Sequence, residues 1–132
     1  MFESFTFSTS QIRKYYQSAQ DDIGIAHKVK MAPVMFRFSY DGLIKLAIAV
    51  CAANGLRAKS TAGHHYDLIE KLSVYLNDVN IKVIGNRMRD KRNRDLYDGG
   101  IVISEKDANE YLTWIINISV VVKRYLQLQS IF

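Results

Sequence analysis

The residues best suited to chemistry in this 132-residue chain lie in a basic segment that runs from Arg87 to Tyr97. The stretch 82–95 carries six cationic side chains and two carboxylates, so most of the net charge of +5 is concentrated there. If the segment is helical, each residue advances by about 100°, and Arg92 falls in the middle of an apolar face. The other residues of that face are Ile81, Ile84, Met88 and Leu96. A guanidinium on a core-facing stripe is costly unless it is paired or lines a polar cleft.

Three further polar side chains lie beside Arg92 on the same predicted helix. Asn93 and Tyr97 are four residues apart and share one side, and Arg89 lies between them and the apolar face. Cations, an amide and a phenol on one side of a helix are suited to holding a phosphate or a nucleotide. The alternative is that Arg92 pairs with a buried carboxylate from another helix and that the remaining cations form a solvated surface. The candidate carboxylates are Asp41, Asp67 and Glu70.

Other residues offer weaker chemical signals. His64 and His65 are adjacent, so their side chains should point about 100° apart, and no metal site is predicted. We expect one of them to cap the helix that follows or to contact the neighbouring cleft. Tyr15 and Tyr40 could present hydroxyl groups to a cleft, although most of the aromatic residues should form the core. The Gly99-Gly100 pair lacks the lysine and the preceding strand of a phosphate loop, so no cofactor is expected.

These residues should be positioned by helices, because no window shows the two-residue alternation of a sheet. The Ser8-Thr9-Ser10 cluster predicts the start of the first helix, and Pro33 suits the first turn of the second. The second helix should end near Asn54, with Gly55 as a left-handed cap, and should be the most buried one. The remaining helices are predicted over 64–76, 80–97 and 104–129. The fold class is therefore all-α, an antiparallel bundle of four to five helices in a single domain, 1–132.

Composition supports an ordinary globular protein that works inside the cell. Apolar residues make up 48% of the chain and charged residues 23%, with a sequence pI near 9.4. The first ten residues lack the pattern of a secretory signal. The two long apolar runs, Leu43–Ala53 and Tyr111–Val122, are too short to span a bilayer. A cytoplasmic location without membrane attachment is expected. The single cysteine, Cys51, lies in an apolar run and should be a buried hydrophobic residue.

Several motifs follow one another along the chain. After a tyrosine-rich first helix come Phe38-Ser39-Tyr40-Asp41-Gly42-Leu43, Gly55-Leu56-Arg57, Gly63-His64-His65 and finally Arg89-Asp90-Lys91-Arg92-Asn93-Arg94-Asp95-Leu96-Tyr97. In this order they resemble the HEPN superfamily of small helical bundles, over roughly residues 10 to 125. The last motif is the specific one. In the family it is an Arg, commonly followed by a polar residue, with a His a few residues later.

The resemblance implies roles for individual residues. Arg92 matches the motif arginine, Asn93 matches the polar residue, and Tyr97 occupies the position of the His. Arg92, Asn93 and Tyr97 are thus the candidate catalytic residues. The candidate binding residues are Arg87, Arg89, His64, His65 and Tyr40. Many family members cleave RNA without a metal, usually as dimers with two motifs in one cleft. A phenol is a poorer acid or base than imidazole near neutral pH, so the tyrosine is a departure that matters.

Two functions follow as expectations. One is a HEPN-like module that binds RNA or a nucleotide, or docks on a minimal nucleotidyltransferase, as in a toxin–antitoxin pair. The other is an active, metal-independent endoribonuclease. In that enzyme the arginines would stabilise charge on the phosphate, and Tyr97 or the two histidines would transfer protons. The resemblance also implies a homodimer, and the expected partners are RNA or a nucleotide, or a minimal nucleotidyltransferase.

Overall fold

A computed structural model describes residues 1–61, 63–98 and 102–132, without the side chains of 95–98. This part of the chain forms a helical bundle, and the predicted all-α class is confirmed. Its helices are α1 (Thr9–Lys28), α2 (Ala32–Ala53), α3 (His64–Tyr75), α4 (Val79–Asp98) and α5 (Glu105–Leu128). Each predicted helix boundary agrees with the structure to within about two residues, although Gly99 and Gly100, the predicted breaker after α4, lie outside the described residues.

Local signals explain where the first two helices start and stop. Ser8 caps α1 in a reciprocal capping box with Gln11, as the serine cluster predicted. Pro33 lies in the first turn of α2, where its missing N–H costs nothing. After α2, Gly55 adopts the left-handed conformation with φ of 72°, which its lack of a Cβ allows. Local sequence signals therefore account for the start of α1 and for both ends of α2.

Helix α2 is the centre of the bundle. It contacts the other four helices, and most of its residues are buried, as predicted. Phe36, Tyr40, Leu43 and Leu46 are completely inaccessible to solvent, and Cys51 is buried as expected. One charged pair joins α2 to α1, where Lys45 Nζ lies 2.7 Å from a carboxylate oxygen of the buried Asp22.

The structure contains a small sheet that the sequence analysis did not predict. Strands β1 (Phe2–Ser4) and β2 (Leu56–Ala58) pair in antiparallel register, with Phe2 opposite Ala58. Each strand has three residues, which is too short for an alternating pattern to stand out. The all-α class stands, but the expectation that the chain contains no sheet is wrong at this point. The sheet fixes the N-terminal segment against the connection between α2 and α3.

Helices α3 and α4 pack closely because Gly85 lies at their contact. A Cβ atom at Gly85 would come within 2.7 Å of Ile69 Cγ2, so a larger residue would push the helices apart. Ile81 and Met88, on the same side of α4, are fully buried. This confirms the predicted apolar face at Ile81 and Met88, whereas Ile84 is only partly buried and the side chain of Leu96 lies outside the described residues. Arg92 follows one turn after Met88, beside the start of α3.

Candidate functional site

A polar cleft lies between the start of α3 and the second half of α4. We call it the α3–α4 cleft. Its volume is about 290 Å³. The residues that line it are Thr61, Gly63, His64, His65, Tyr66, Arg89, Arg92 and Asn93. Two arginines, two histidines and an amide thus converge from two helices. No carboxylate is among the described residues that line this cleft.

The cleft connects to the buried core through Tyr40. The Tyr40 hydroxyl lies 3.0 Å from Nδ1 of His65, and the tyrosine ring is fully buried. Burial raises the pKa of Tyr40, so its hydroxyl keeps its proton at neutral pH. An unsatisfied buried O–H is costly, which favours donation from Tyr40 to Nδ1 of His65. The neutral imidazole then carries its hydrogen on Nε2, where it can be donated to a ligand.

The environment of His65 disfavours its protonated form. Burial, which has the largest effect, and the charges of His64, Arg92 and Arg89 together lower the pKa of His65 from 6.5 to about 4. At neutral pH the ring is therefore uncharged. It can orient a ligand through a hydrogen bond, but it cannot act there as a protonated general acid.

Arg92 does not form the buried ion pair that was considered as an alternative. Asp67 pairs with the amino group of Met1 at 3.3 Å, and Glu70 pairs with Lys82 at 3.3 Å. Asp41 is close enough that the charge of Arg92 lowers its pKa, although burial has the larger, opposite effect. Within the described residues Arg92 has no ion-pair partner, and its guanidinium carbon lies 5.6 Å from the centre of the Tyr40 ring.

Arg89 is held in the cleft by contacts with residues of α3 and of its own helix. Its Nε donates a hydrogen bond of 3.2 Å to Oδ1 of Asn86, one helical turn earlier, and its guanidinium lies over the ring of Tyr66. A terminal nitrogen also lies 3.5 Å from the exposed Asp90. These contacts restrict the side chain while part of the guanidinium remains free to bind a ligand. The sequence analysis missed Asn86 and Tyr66. Only the spacing of three residues between Asn86 and Arg89 could have indicated one of them.

His64 occupies the first position of α3. Its Nδ1 lies 2.9 Å from the carbonyl oxygen of Thr61, and the two histidine rings are in contact with centroids 4.4 Å apart. Contrary to the expectation that adjacent histidines diverge, both line the same cleft. The N-cap of α3 is Gly63, which has no side chain to satisfy the first N–H groups of the helix. The backbone N–H of His64 donates to the Thr61 carbonyl oxygen, and the positive end of the α3 dipole adds to the charge of the arginines, offset in part by Asp67 in the first turn.

One predicted binding residue lies elsewhere. Arg87 lines a separate cavity of about 460 Å³ between α4 and the start of α5. The charged residues that line this second cavity are Arg87, Lys91, Arg94, Asp90, Asp107 and Glu110. Its three cations are thus balanced by three carboxylates. The described lining residues of the α3–α4 cleft include two arginines and no carboxylate, and the exposed Asp90 contacts Arg89 without lining the cleft. The structure therefore separates Arg87 from the other candidates.

Most of the remaining predicted residues meet in one place. The α3–α4 cleft is lined by Arg89, Arg92, Asn93, His64 and His65. Tyr40 lies in the core beneath the cleft and is hydrogen-bonded to His65. Tyr97 belongs to α4, but its side chain lies outside the described residues. Tyr15, the other tyrosine considered for a cleft, lines a neighbouring apolar cavity instead.

The chain matches no protein-family model, no curated protein and no solved structure. Among the described residues no cluster of three or more His, Cys, Asp or Glu side chains is suited to a metal ion. In that same part of the chain, no helix has both the length and the apolar character needed to cross a membrane.

Proposed function

We propose that this chain is a HEPN-like module that binds RNA or a nucleotide in the α3–α4 cleft. The phosphate would lie against Arg89 and Arg92, whose guanidinium groups match its oxygens in charge and geometry. Asn93, which is exposed at the edge of the cleft, would donate an amide hydrogen bond to the same group. The N–H on Nε2 of His65 supplies a further, uncharged donor.

The observation that carries this proposal is the difference in charge balance between the two cavities. The larger cavity beside Arg87 contains equal numbers of cations and carboxylates, so it attracts neither sign of charge strongly. The α3–α4 cleft combines two arginines of α4 with the start of α3, and no carboxylate is among its described lining residues. Unbalanced positive charge in a concave polar site favours an anionic ligand.

The chain provides a matched pair of variants for the test. Arg92→Ala removes a cation from the α3–α4 cleft, and Arg87→Ala removes one from the charge-balanced cavity on the same helix. Binding of a short single-stranded RNA is measured by fluorescence anisotropy at several salt concentrations. Loss of one charge-assisted hydrogen bond should weaken binding roughly tenfold or more in Arg92→Ala. The slope of log affinity against log salt should also fall by about one.

Arg87→Ala is expected to bind nearly as well as the unmodified chain. Equal losses in the two variants would mean that only net charge matters and would exclude a specific site in the cleft. A chain that binds neither RNA nor nucleotides at low salt would refute the proposal altogether.

A metal-independent ribonuclease is the second candidate, favoured by His64, which shares the cleft with Arg92 and whose Nε2 is an acceptor when Nδ1 donates to the Thr61 carbonyl oxygen. Deprotonation of a ribose 2′-hydroxyl needs a base beside the phosphate, and a neutral imidazole can accept that proton. RNA incubated with the chain and excess chelator should then be cleaved, and Arg92→Ala should abolish the cleavage. Persistence of cleavage in Arg92→Ala would identify a contaminating nuclease and remove this candidate.

The resemblance to HEPN proteins adds two partners to the proposal, a second copy of the chain and a minimal nucleotidyltransferase. Sedimentation of the purified chain tests the first. Co-expression with a nucleotidyltransferase encoded by an adjacent gene tests the second. A monomer that forms no complex would limit the proposal to RNA or nucleotide binding.

A further inference from the structure

A third cavity, distinct from the charge-balanced cavity beside Arg87, adjoins the α3–α4 cleft and is apolar. It lies between the β1–β2 sheet, α1, α2 and the start of α3, and its volume is about 200 Å³. Aromatic and aliphatic side chains form most of its surface, including Phe7, Tyr15, Ile48, Leu56 and Leu68. This volume is below the range of about 300 to 1,000 Å³ that is typical of drug-sized ligands. The cavity therefore suits a single ring system.

The interior of this apolar cavity is electrically neutral. Arg57 is the charged residue among its described lining residues, and its guanidinium pairs with Glu3 at 2.7 Å and lies over the ring of Phe5. Cys51 also borders the cavity, and burial raises the pKa of its thiol to about 12, so the group stays protonated. The cavity thus offers aromatic surface without free charge, the opposite of the cleft beside it.

His64 lies between the apolar cavity and the α3–α4 cleft, because its side chain lines both. Its Nδ1 faces the carbonyl oxygen of Thr61 at 2.9 Å, and a carbonyl only accepts hydrogen bonds. Nδ1 therefore carries the hydrogen, and in the neutral ring Nε2 is an acceptor. A hydrogen-bond acceptor between a phosphate-binding cleft and an apolar cavity lies where the ribose of a nucleotide would be. The 2′-hydroxyl is the donor that distinguishes RNA from DNA.

We propose that the apolar cavity accepts the base of a ribonucleotide whose phosphate lies against Arg89 and Arg92, with His64 accepting a hydrogen bond from the 2′-hydroxyl. This inference rests on the proposed function and specifies its ligand as a ribonucleotide unit, either free or within RNA. Phe7 and Tyr15, whose rings meet edge to face at 5.9 Å, provide the aromatic surface for the base. Base–aromatic stacking is tolerant of sequence, so several bases can occupy the cavity.

The test compares ligands that contain different parts of a nucleotide. Affinities for the four ribonucleoside 5′-monophosphates, their 2′-deoxy forms, ribose 5-phosphate and inorganic phosphate are measured by NMR titration. At least one ribonucleotide should bind about tenfold more tightly than ribose 5-phosphate, because stacking adds to phosphate binding. It should also bind several-fold more tightly than its 2′-deoxy form.

Three variants assign these differences to residues. Ala58→Leu places a larger side chain in the apolar cavity and should reduce nucleotide affinity to that of ribose 5-phosphate. Thr113→Leu is the matched control, because Thr113 is exposed on α5 and lines neither space. His64→Asn keeps an amide that can donate to the Thr61 carbonyl but lacks Nε2, so it should lose the preference for ribose over deoxyribose.

The outcomes separate this inference from the proposed function. If ribose 5-phosphate binds and depends on Arg92, but the base and Ala58→Leu have no effect, the base cavity is refuted while phosphate binding stands. If no phosphate compound binds, both proposals fail. Should circular dichroism show that Ala58→Leu is unfolded, Phe7→Leu and Tyr15→Leu replace it. Unchanged nucleotide affinity in both of these variants would equally refute the base cavity.

Discussion

Replacement of His65 by Gln should change how the stability of the fold depends on pH. His65 is half-buried between Tyr40 and the arginines of the α3–α4 cleft, and its pKa falls from the ordinary 6.5 to about 4. In the unfolded chain the same imidazole is solvated and titrates near 6.5. Gln cannot be protonated in this range, yet its amide can still accept a hydrogen bond from the Tyr40 hydroxyl.

The direction of the effect follows from which state binds the proton. Above pH 6.5 both states are neutral at His65, and stability is unaffected by its titration. Between pH 6.5 and about 4 the unfolded chain binds a proton that the folded chain does not, so the free energy of unfolding decreases. The lowering from 6.5 to about 4 corresponds to at most about 3 kcal/mol. Solvent screening at this half-buried site reduces the expected loss to about 1 to 2 kcal/mol.

Urea denaturation between about pH 7.5 and about pH 4.5 measures this loss. The unmodified chain should lose about 1 to 2 kcal/mol more than His65→Gln over this range. Asn93→Ala, a change to a non-ionisable residue of the same cleft, should retain the pH dependence of the unmodified chain. The chain has three histidines, so NMR can also follow each imidazole separately. Three imidazoles that all titrate above pH 6, with identical pH profiles for His65→Gln and the unmodified chain, would refute the reasoning.

Further predictions concern the packing of the bundle and can be checked by thermal or urea unfolding. Gly85→Ala should destabilise the chain by about 1 to 2 kcal/mol, because its Cβ would lie 2.7 Å from Ile69 Cγ2. Gly24→Ala, where a Cβ meets no atom within 4 Å, should instead stabilise α1 by about 0.5 to 1 kcal/mol. Unchanged or increased stability in Gly85→Ala would contradict the packing described for α3 and α4. Lys45→Met should cost about 2 kcal/mol by leaving the carboxylate of Asp22 buried without its partner. Adding Asp22→Asn should recover most of that loss, and an additive double variant would contradict the coupling.

Much of the fold could be predicted because its determinants are local. Ser8, Pro33 and Gly55 act within one helical turn of the boundaries that they set. The β1–β2 sheet could not be predicted, because it pairs Phe2 with Ala58 through strands that are too short to show a pattern. The close approach at Gly85 also depends on α3, since the residue that fills the space is Ile69.

In the candidate site, too, the features set by local sequence could be predicted, whereas those set by distant residues could not. The position of Arg92 beside the buried face follows from helical geometry alone. The same geometry places Arg87 on a different side of α4, but the sequence analysis grouped it with the other binding residues, and the structure corrects this. The hydrogen bond between Tyr40 and His65 joins residues 25 positions apart and needs the packing of α2 against α3. Whether a cleft carries net charge depends on where the carboxylates of other elements lie. The sequence pattern therefore identified the arginines but not the balance of charge around them.

Binding of a phosphate-bearing ligand in the α3–α4 cleft can be mapped residue by residue through backbone NMR shifts during titration with a ribonucleoside monophosphate. We expect the largest changes at residues 63–66 and 89–93, which form the cleft. The same titration of Arg92→Ala should show much smaller changes there. Shifts concentrated around Asp107, Glu110 and Tyr111, in the larger charge-balanced cavity, would contradict the account. So would a spectrum that does not respond to the ligand.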